Sequence, residues 1–577
     1  MTAHHVSARR TRPCPFCRLS RCRGGASILS MLAGPTVSGL LLSGLLASVL
    51  LLSGCAVGPD YDRPAPPAAP TEWSAVATRP DISGDAGKSA ATPAGLGNGS
   101  GAVRASVNAA TPDGQWWDRM GDPLLSELVA TAVGNNNDAL MAAANLREAR
   151  AVVGVARGAL LPEAAAGGSF ERSRVSTNTL TGQSLQAARM PIESDLYQAG
   201  FDARWEIDIF GGARRGVEAA RARQQAAEAG LSDVLLSVAA ETARAYVELR
   251  GAQARLDVAE RNADAQRRTL ELVRLRRDVG VASDMNVLQA EAQLQRTEAL
   301  VPPLRAATDA AIHRLGVLCG LPPAALRDRL APRAPLPAVP DLVPVGLPSD
   351  LLLRRPDIRR VEHELHAATA DIGQREADLF PKFSLTGSYG LNSIHFSDLF
   401  RDDSRAWTIM PGVRWAIFEG GRTRAAVAAL EARREATLER WRKTVLVAFE
   451  EVETSLARYA EAFVERERLT RSLEAQAEAT RLAKVRYAEG VDDLLTVLDA
   501  ERRQLEVEEA LARSRSGVLL HLVSLYKSLG GGWPESAGPD GAGPAATATP
   551  AATATPGASA APQATGQAAG TIDKQGN

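Results

Sequence analysis

The chain has 577 residues, of which 45% are hydrophobic and 23% are charged. These fractions are ordinary for folded protein, so they exclude a wholly disordered chain and a polytopic helical membrane protein. The formal net charge is −1, but residues 1–54 hold six arginines and no acidic residue, which leaves a mildly acidic remainder. A chain of this charge without a basic tract is a poor candidate for nucleic-acid binding.

The N-terminus has the pattern of a lipoprotein signal peptide. Residues 1–54 combine the arginines with an uncharged stretch that is strongly apolar from Leu40 to Leu52. The stretch ends in Leu52-Ser53-Gly54-Cys55, which resembles a bacterial lipobox. We therefore predict that Cys55 becomes the acylated mature N-terminus and that acyl chains anchor it in membrane lipid. The alternative is an uncleaved transmembrane helix.

Two segments outside the folded body are predicted from composition. Residues 55–112 are rich in Pro, Ala and Gly, which predicts an extended linker from the lipid anchor. Residues 535–577 are Ala/Thr/Pro repeats, which predict a disordered tail. After loss of the leader only Cys319 remains beside Cys55, so we expect no disulfide and no metal site.

The body between these segments contains one unit twice. Three motifs recur at an offset of about 210–220 residues, which indicates duplication of a supersecondary unit. The pairs are Gly158–Pro162 with Ala377–Pro381, Trp205–Gly212 with Trp415–Gly421, and Gly280–Glu291 with Gly490–Glu501. The sequence thus predicts a first repeat over 113–320, an inter-repeat segment over 321–355 and a second repeat over 356–534.

Each repeat is predicted to hold a long helical hairpin. Residues 422–489 contain neither proline nor glycine, so they can form one helix about 100 Å long. A second helical run of about 35 residues follows Gly490. The first repeat matches with 213–279 and 283–319, and shorter helices are predicted over 135–160 and 356–379. Helices this long imply an elongated protein and must bury an apolar stripe against neighbours.

Two strands are predicted in each repeat, with large apolar residues on alternate positions. The strand near 163–174 has the weakest pattern. The apolar residues of the others are Tyr197, Phe201, Trp205 and Ile207, then Phe383, Leu385, Tyr389 and Leu391, then Trp407, Ile409, Val413, Trp415 and Ile417. The opposite face carries Gln198, Asp202, Arg204, Glu206, Asp208 and Ser384.

An apolar outer face and a polar inner face are typical of a transmembrane barrel with a wet lumen. Four strands are too few to enclose a lumen, and an open sheet edge is not tolerated in lipid. Closure therefore requires several copies, of which three would give twelve strands and two would give eight. The alternative is a soluble sheet half-buried against the helices.

Several segments resemble the outer membrane efflux protein family, the TolC-like outer membrane factors, and within it the NodT-type efflux lipoproteins. The resemblance runs from residue 55 to about 530. It is carried by Cys55–Tyr61 with Arg63-Pro64, by Trp116-Trp117 with Asp122-Pro123-Leu124, by Leu315-Gly316 with Gly320, and by Gly346–Leu352 with Arg354–Arg359 and Glu362.

The resemblance implies a mainly α protein with a transmembrane β-barrel. Its fold would be a homotrimer with a twelve-stranded outer-membrane barrel and a long periplasmic α-helical barrel. It would be the exit duct of a tripartite pump, with a periplasmic adaptor and an inner-membrane RND-type transporter as partners, and it would pass small molecules such as drugs or metal ions. The alternatives are a type I protein-secretion channel and a lipid-anchored coiled-coil scaffold without a pore.

Candidate gate residues lie just after the second hairpin turn. Leu495, Asp499 and Arg502 follow one helical stripe, and three copies would form three rings. In the family that this chain resembles, these positions of the motif form the periplasmic constriction. The alternative is an ordinary Asp–Arg pair on a helix surface.

The two hairpin turns are candidate adaptor-docking tips. They comprise Val279, Gly280, Val281, Ala282 and Ser283 in the first repeat, and Gly490, Val491 and Asp492 in the second. Their composition predicts helix ends and caps, and the resemblance implies docking of the adaptor. No nucleophile elbow or phosphate loop is present, so we expect no enzymatic activity and no cofactor.

Overall fold

A computed structural model describes residues 56–67, 73–74, 107–108 and 114–531. The predicted signal peptide, Cys55 and the predicted tail over 535–577 lie outside the described residues. The chain divides into two compact units. Of the described residues, the sheet unit comprises 56–59, Gly158–Arg215 and Gly373–Ala426, and the helical unit comprises the others, up to residue 531.

Helices account for most of the described residues. They are α1 (Pro123–Asn135), α2 (Asn137–Gly158), α3 (Leu180–Ala187), α4 (Gly212–Asp278), α5 (Asp284–Glu298), α6 (Val301–Leu318), α7 (Arg327–Leu330), α8 (Leu351–Arg354), α9 (Pro356–Glu376), α10 (Arg422–Ala488) and α11 (Leu494–Ser528). Among the described residues, none of these helices has an apolar stretch long enough to cross a lipid bilayer.

The strands form two sheets. They are β1 (Val107–Asn108), β2 (Glu163–Arg174), β3 (Glu193–Ile207), β4 (Val343–Pro344), β5 (Lys382–Ser393) and β6 (Arg405–Arg414). The sheet unit contains an antiparallel sheet in the order β2-β3-β5-β6, and β1 pairs with β4 in a two-stranded parallel sheet. The four predicted strands are therefore present, including the weakly patterned strand near 163–174.

Two details of the strand prediction are wrong. Strand β6 ends at Arg414, so Trp415 and Ile417 lie beyond the ladder. Strand β3 ends at Ile207, and Asp208 instead accepts a hydrogen bond of 2.9 Å from the backbone N–H of Arg214. The Asp208 carboxylate therefore accepts from a backbone N–H in the first turn of α4 that has no partner within the helix. The alternation pattern alone cannot distinguish such a capping residue from a residue in a strand.

The long helices follow the prediction closely, except after the first hairpin turn. Helices α4 and α10 each contain 67 residues. The single helix predicted over 283–319 is instead divided into α5 and α6. The break precedes Pro302 and Pro303, because a proline ring has no N–H to donate and collides with the carbonyl one turn earlier.

The helical unit has its main core around large aromatic side chains. Trp116, Tyr246, Trp441 and Tyr526 are fully buried, and the Trp116 and Tyr526 rings stack at 5.0 Å. The Tyr246 hydroxyl donates to Asp122 Oδ2 at 2.6 Å. Several segments distant in sequence are thereby joined in one apolar cluster.

Part of the predicted linker packs against the helical unit. The Trp73 side chain is buried, and its Nε1 donates to the Gly346 carbonyl at 3.1 Å. The Tyr61 ring stacks on His366 at 4.4 Å, and Arg63 pairs with Glu362 at 2.8 Å. Composition predicted an extended tether, whereas these aromatic and charged side chains make specific contacts.

Candidate functional site

One face of the four-stranded sheet carries apolar side chains that are aligned in rows across neighbouring strands. Residues directly opposite in an antiparallel ladder share a face. The register aligns Phe201 with Tyr389 and Tyr389 with Trp407, which places three aromatic rings in one row across three strands. Phe201, Trp407 and Ile409 are 65%, 70% and 68% exposed, respectively. Exposed apolar surface on this scale is typical of a membrane or partner contact.

The apolar face is long enough to cross a bilayer core as part of a tilted barrel strand. The aromatic face runs from Tyr197 to Ile207 along β3, which is about 34 Å at about 3.4 Å per residue. At the strand tilt of about 40° that is typical of transmembrane barrels, a strand segment of this length would span a height of about 26 Å, close to their apolar band of about 25 Å.

The opposite face of the sheet is largely polar, as the alternation predicts. Asp202 lies opposite Ser388, and Ser388 lies opposite Thr408. The Ser169 hydroxyl donates to Gln198 at 3.2 Å across β2 and β3. A sheet with one exposed apolar face and one polar face suits a boundary between lipid and water.

In the helical unit, the two hairpin turns have the same backbone design. Gly280 and Gly490 adopt positive φ angles of 73° and 78°. The Val281 N–H donates to the Arg276 carbonyl, and the Val491 N–H donates to the Arg486 carbonyl. These are the bonds of a Schellman motif, which satisfies free carbonyls at a helix C-terminus.

The helices that leave the turns are capped by Ser283 and Asp493. Ser283 Oγ accepts from the Asn286 N–H at 3.3 Å, and Asp493 accepts from the Thr496 N–H at 3.0 Å. Asp492 does not cap the helix. Its carboxylate instead pairs with Arg486 at 2.7 Å and 3.0 Å, and this hydrogen bonding holds the Asp492 pKa below its ordinary value.

The two hairpins contact each other near their ends. Arg276 of α4 donates to the carbonyls of Tyr487 and Ala488 at 3.1 Å and 3.0 Å, and its guanidinium lies 4.4 Å from the Tyr487 ring centroid. An apolar cluster lies between the hairpins. It includes Leu270, Val273, Val287, Leu294, Tyr487, Leu494, Val497 and Leu498.

The predicted gate residues share one stripe of α11. Leu495 is exposed, and Asp499 and Arg502 are half-exposed. Asp499 pairs with Arg502 at 2.6 Å and with Arg503 at 2.9 Å, and Arg502 also pairs with Glu506. The hydrogen bond from Arg502 lowers the Asp499 pKa.

A buried carboxylate near these residues was missed by the sequence analysis. Glu501 is only 4% exposed, and its Oε1 accepts from Thr269 at 2.9 Å and from Lys484 at 2.8 Å. It therefore links α4, α10 and α11. Glu501 ends a repeated motif, but no pattern distinguishes it from the many acids on helix surfaces. Across the described residues, no cluster of His, Cys, Asp and Glu could hold a metal ion.

Comparison with known proteins agrees with this geometry. The outer membrane efflux protein family matches residues 128–321 and 347–531. The probable efflux pump outer membrane protein TtgC of Pseudomonas putida is 32% identical over 500 residues, which cover 86% of this chain and 96% of that protein.

Two solved structures extend the comparison to the fold. The outer-membrane channel OprN is 35% identical, with a TM-score of 0.74, and the match covers 83% of this chain and 100% of that chain. The open state of the MtrE outer membrane channel of Neisseria gonorrhoeae is 27% identical, with a TM-score of 0.69, and the match covers 83% and 99%.

The exposed apolar sheet face, the long hairpins and these matches define an outer-membrane channel protein. The chain belongs to the outer membrane efflux protein family. It is the outer-membrane component of an efflux system, and its relatives are channel proteins rather than enzymes.

Proposed function

We propose that the chain is one subunit of the passive exit duct of a tripartite efflux pump. The observation that carries this proposal is the four-stranded sheet, on whose apolar face Phe201, Tyr389 and Trp407 form one row and are each more than half exposed. The duct passes small molecules such as drugs or metal ions to the exterior and performs no chemistry on them. A type I protein-secretion channel is the alternative, and the names of relatives such as TtgC favour efflux.

The duct is a homotrimer in this proposal. Within the described residues the outer edges of β2 and β6 have no partner strand, and lipid does not tolerate an open edge. Three copies supply twelve strands and close the barrel, and their long helices form a second, α-helical barrel. The two family matches, at 128–321 and 347–531, support repeats over 113–320 and 356–534 around the segment 321–355.

A planar-bilayer recording tests the pore directly. The purified full-length protein is added to a lipid bilayer, and discrete single-channel currents are expected. The lipid-anchored scaffold without a pore predicts membrane association with no current. Reconstitution of the C55S variant, which lacks the proposed acylation site, is expected to retain conductance while mass spectrometry shows loss of the attached lipid.

Leu495, Asp499 and Arg502 form the periplasmic gate in this proposal. Three copies bring three Asp–Arg pairs around one axis, and paired charges with an apolar ring narrow a pore. The D499A/R502A variant should therefore conduct more than the wild type. E478A/R481A is the matched control, because Glu478 and Arg481 also form an exposed i,i+3 pair, at 2.7 Å. Equal conductance in all three proteins would discard the gate assignment.

The adaptor docks at the hairpin turns in this proposal. Val279, Val281 and Val491 are more than half exposed, which leaves an apolar surface for the adaptor at each turn. Photo-crosslinkers at Val281 and Val491 should capture the periplasmic adaptor in cells. A crosslinker at exposed Val155 of α2 is the control, and equal capture there would contradict docking at the turns.

A further inference from the structure

The apolar face of the sheet ends in two rows of paired charges. Phe170 lies opposite Tyr197, and the rings are 4.7 Å apart. The next two rows on the same face align Arg172 with Asp195, and Arg174 with Glu193. Because alternate residues of a strand share a face, both arginines lie directly beyond the aromatic row.

The ion pairs of these arginines are long and open to solvent. Arg172 lies 3.5 Å from Glu193 and 3.6 Å from Asp195, and Arg174 lies 3.3 Å from Glu193. Both arginine side chains are about two thirds exposed. Exposed pairs of this kind contribute little to stability, and each guanidinium keeps donors that a further acceptor can use.

We propose that Arg172 and Arg174 bind the phosphate of a lipid headgroup in the leaflet at this end of the sheet. The inference rests on the proposed function, in which the aromatic face lies in the bilayer. Acyl chains then contact Phe170, the Tyr197 ring lies at the interface where tyrosine is enriched, and the next level outward is that of the headgroups. The planar guanidinium fork matches the oxygens of a phosphate group.

Lipid retention tests the site. The full-length protein is reconstituted in phosphatidylcholine nanodiscs that contain lipid A with two phosphates, extracted, and analysed by native mass spectrometry for retained lipid A. R172Q/R174Q should retain less, with binding weakened about fivefold per arginine, as for basic residues at anionic lipid surfaces. R204Q is the matched control, because Arg204 lies on the polar face of β3 opposite Glu163. Dephosphorylated lipid A should bind the wild type and R172Q/R174Q equally weakly.

The outcomes separate this site from the proposed function. If R172Q/R174Q forms channels and retains lipid A like the wild type, the phosphate site is wrong and the duct stands. Equal loss in R204Q, or dissociation of the R172Q/R174Q trimer without lipid loss, also overturns the site, since the arginines would then serve the fold or the subunit contact. Absence of channels in the wild type would overturn the duct itself.

Discussion

Asp499 accepts a hydrogen bond from Arg502 and forms an ion pair with Arg503, and we expect these contacts to make the proposed gate insensitive to mild acid. The hydrogen bond from Arg502 holds the Asp499 pKa below its ordinary value of 3.8, so the carboxylate stays ionised as the pH falls to that value. The ion pairs are lost only as the pH falls through the lowered pKa. We expect wild-type conductance to stay constant from pH 7 to about 4 and to rise only below that.

The R502Q variant should partly restore the ordinary pKa of Asp499. It removes the hydrogen bond from Arg502 to Asp499 but leaves the ion pair with Arg503, so the Asp499 pKa should move upward. The rise in conductance should then begin at higher pH than in the wild type. D499N should show no such transition. Single-channel recordings from pH 7 to 3 measure all three proteins, and coincident profiles would contradict a role for this pair in the gate.

Arg355 is the most constrained charge in the inter-repeat segment. It is 8% exposed, it pairs with Asp357 and Glu451 at 2.7 Å each, and it donates to the Ser528 carbonyl at 2.9 Å. R355Q should cost about 1.5–3 kcal/mol, because it removes charge-assisted hydrogen bonds from a buried guanidinium to Asp357 and to the Ser528 carbonyl. R440Q, which removes an exposed pair with Glu364, should cost less than about 1 kcal/mol. Denaturant unfolding in detergent compares the stability of R355Q and R440Q, and equal midpoints would refute a structural role for Arg355.

The residue scale is where sequence reasoning reaches least far. Arg355 belongs to a recognisable motif, yet the motif does not reveal that its guanidinium joins α9, α10 and the end of α11. Arg276 and Glu501 carry no distinguishing pattern at all among dozens of charges on long helices. Their roles depend on which helix faces meet, and only tertiary packing decides that.

The hairpin turns require glycine for its backbone conformation and not because a side chain would collide with a neighbour. Gly280 and Gly490 have positive φ, and no atom would lie within 4 Å of an added Cβ at either position. Alanine therefore introduces only backbone strain, of about 1–2 kcal/mol per residue. We expect G280A and G490A to speed hydrogen exchange of the amides around each turn by about 5–30 fold.

A glycine within a helix of the second hairpin provides the control for G280A and G490A. Gly517 lies within α11, where an added Cβ also meets open space and φ is not positive. G517A should stabilise its helix by about 0.5–1 kcal/mol, because alanine restricts the unfolded chain. Slower exchange near Gly517 together with faster exchange at the turns supports the assignment. No change at the turns would show that their conformation is not strained for alanine.

Secondary structure is the level that sequence reasoning predicts best. The proline- and glycine-free run 422–489 becomes α10 almost residue for residue, because a long amphipathic segment has no competing structure. The break between α5 and α6 lies just before Pro302 and Pro303, and the match between the repeats does not predict it because the second repeat has no proline in 412–533. Alternation does not predict where a strand ends, because Asp208 and Trp415 continue the pattern after the ladder has ended.

At the scale of the whole molecule, the open edges of the four-stranded sheet mean that one chain cannot close a barrel alone. In the described chain β2 and β6 are the outer strands, and each leaves a row of unpaired backbone groups. Pairing β2 of one copy with β6 of the next joins unlike surfaces, and such head-to-tail contacts either close into a ring or continue as a filament. The proposed trimer corresponds to closure of this ring at three copies.

Disulfide trapping distinguishes these possibilities. Cysteine at Ala166 of β2 is combined in turn with cysteine at each position from 406 to 413 of β6, and the membranes are oxidised. A closed barrel predicts that one register gives covalent trimers and nothing larger, because the third bond completes the ring. The control pairs A166C with Y389C of β5, which Phe201 of the intervening strand keeps about 9–10 Å away, too far for a disulfide. Ladders beyond three chains would indicate an open assembly, and a lack of crosslinks at every register would contradict pairing of these edges.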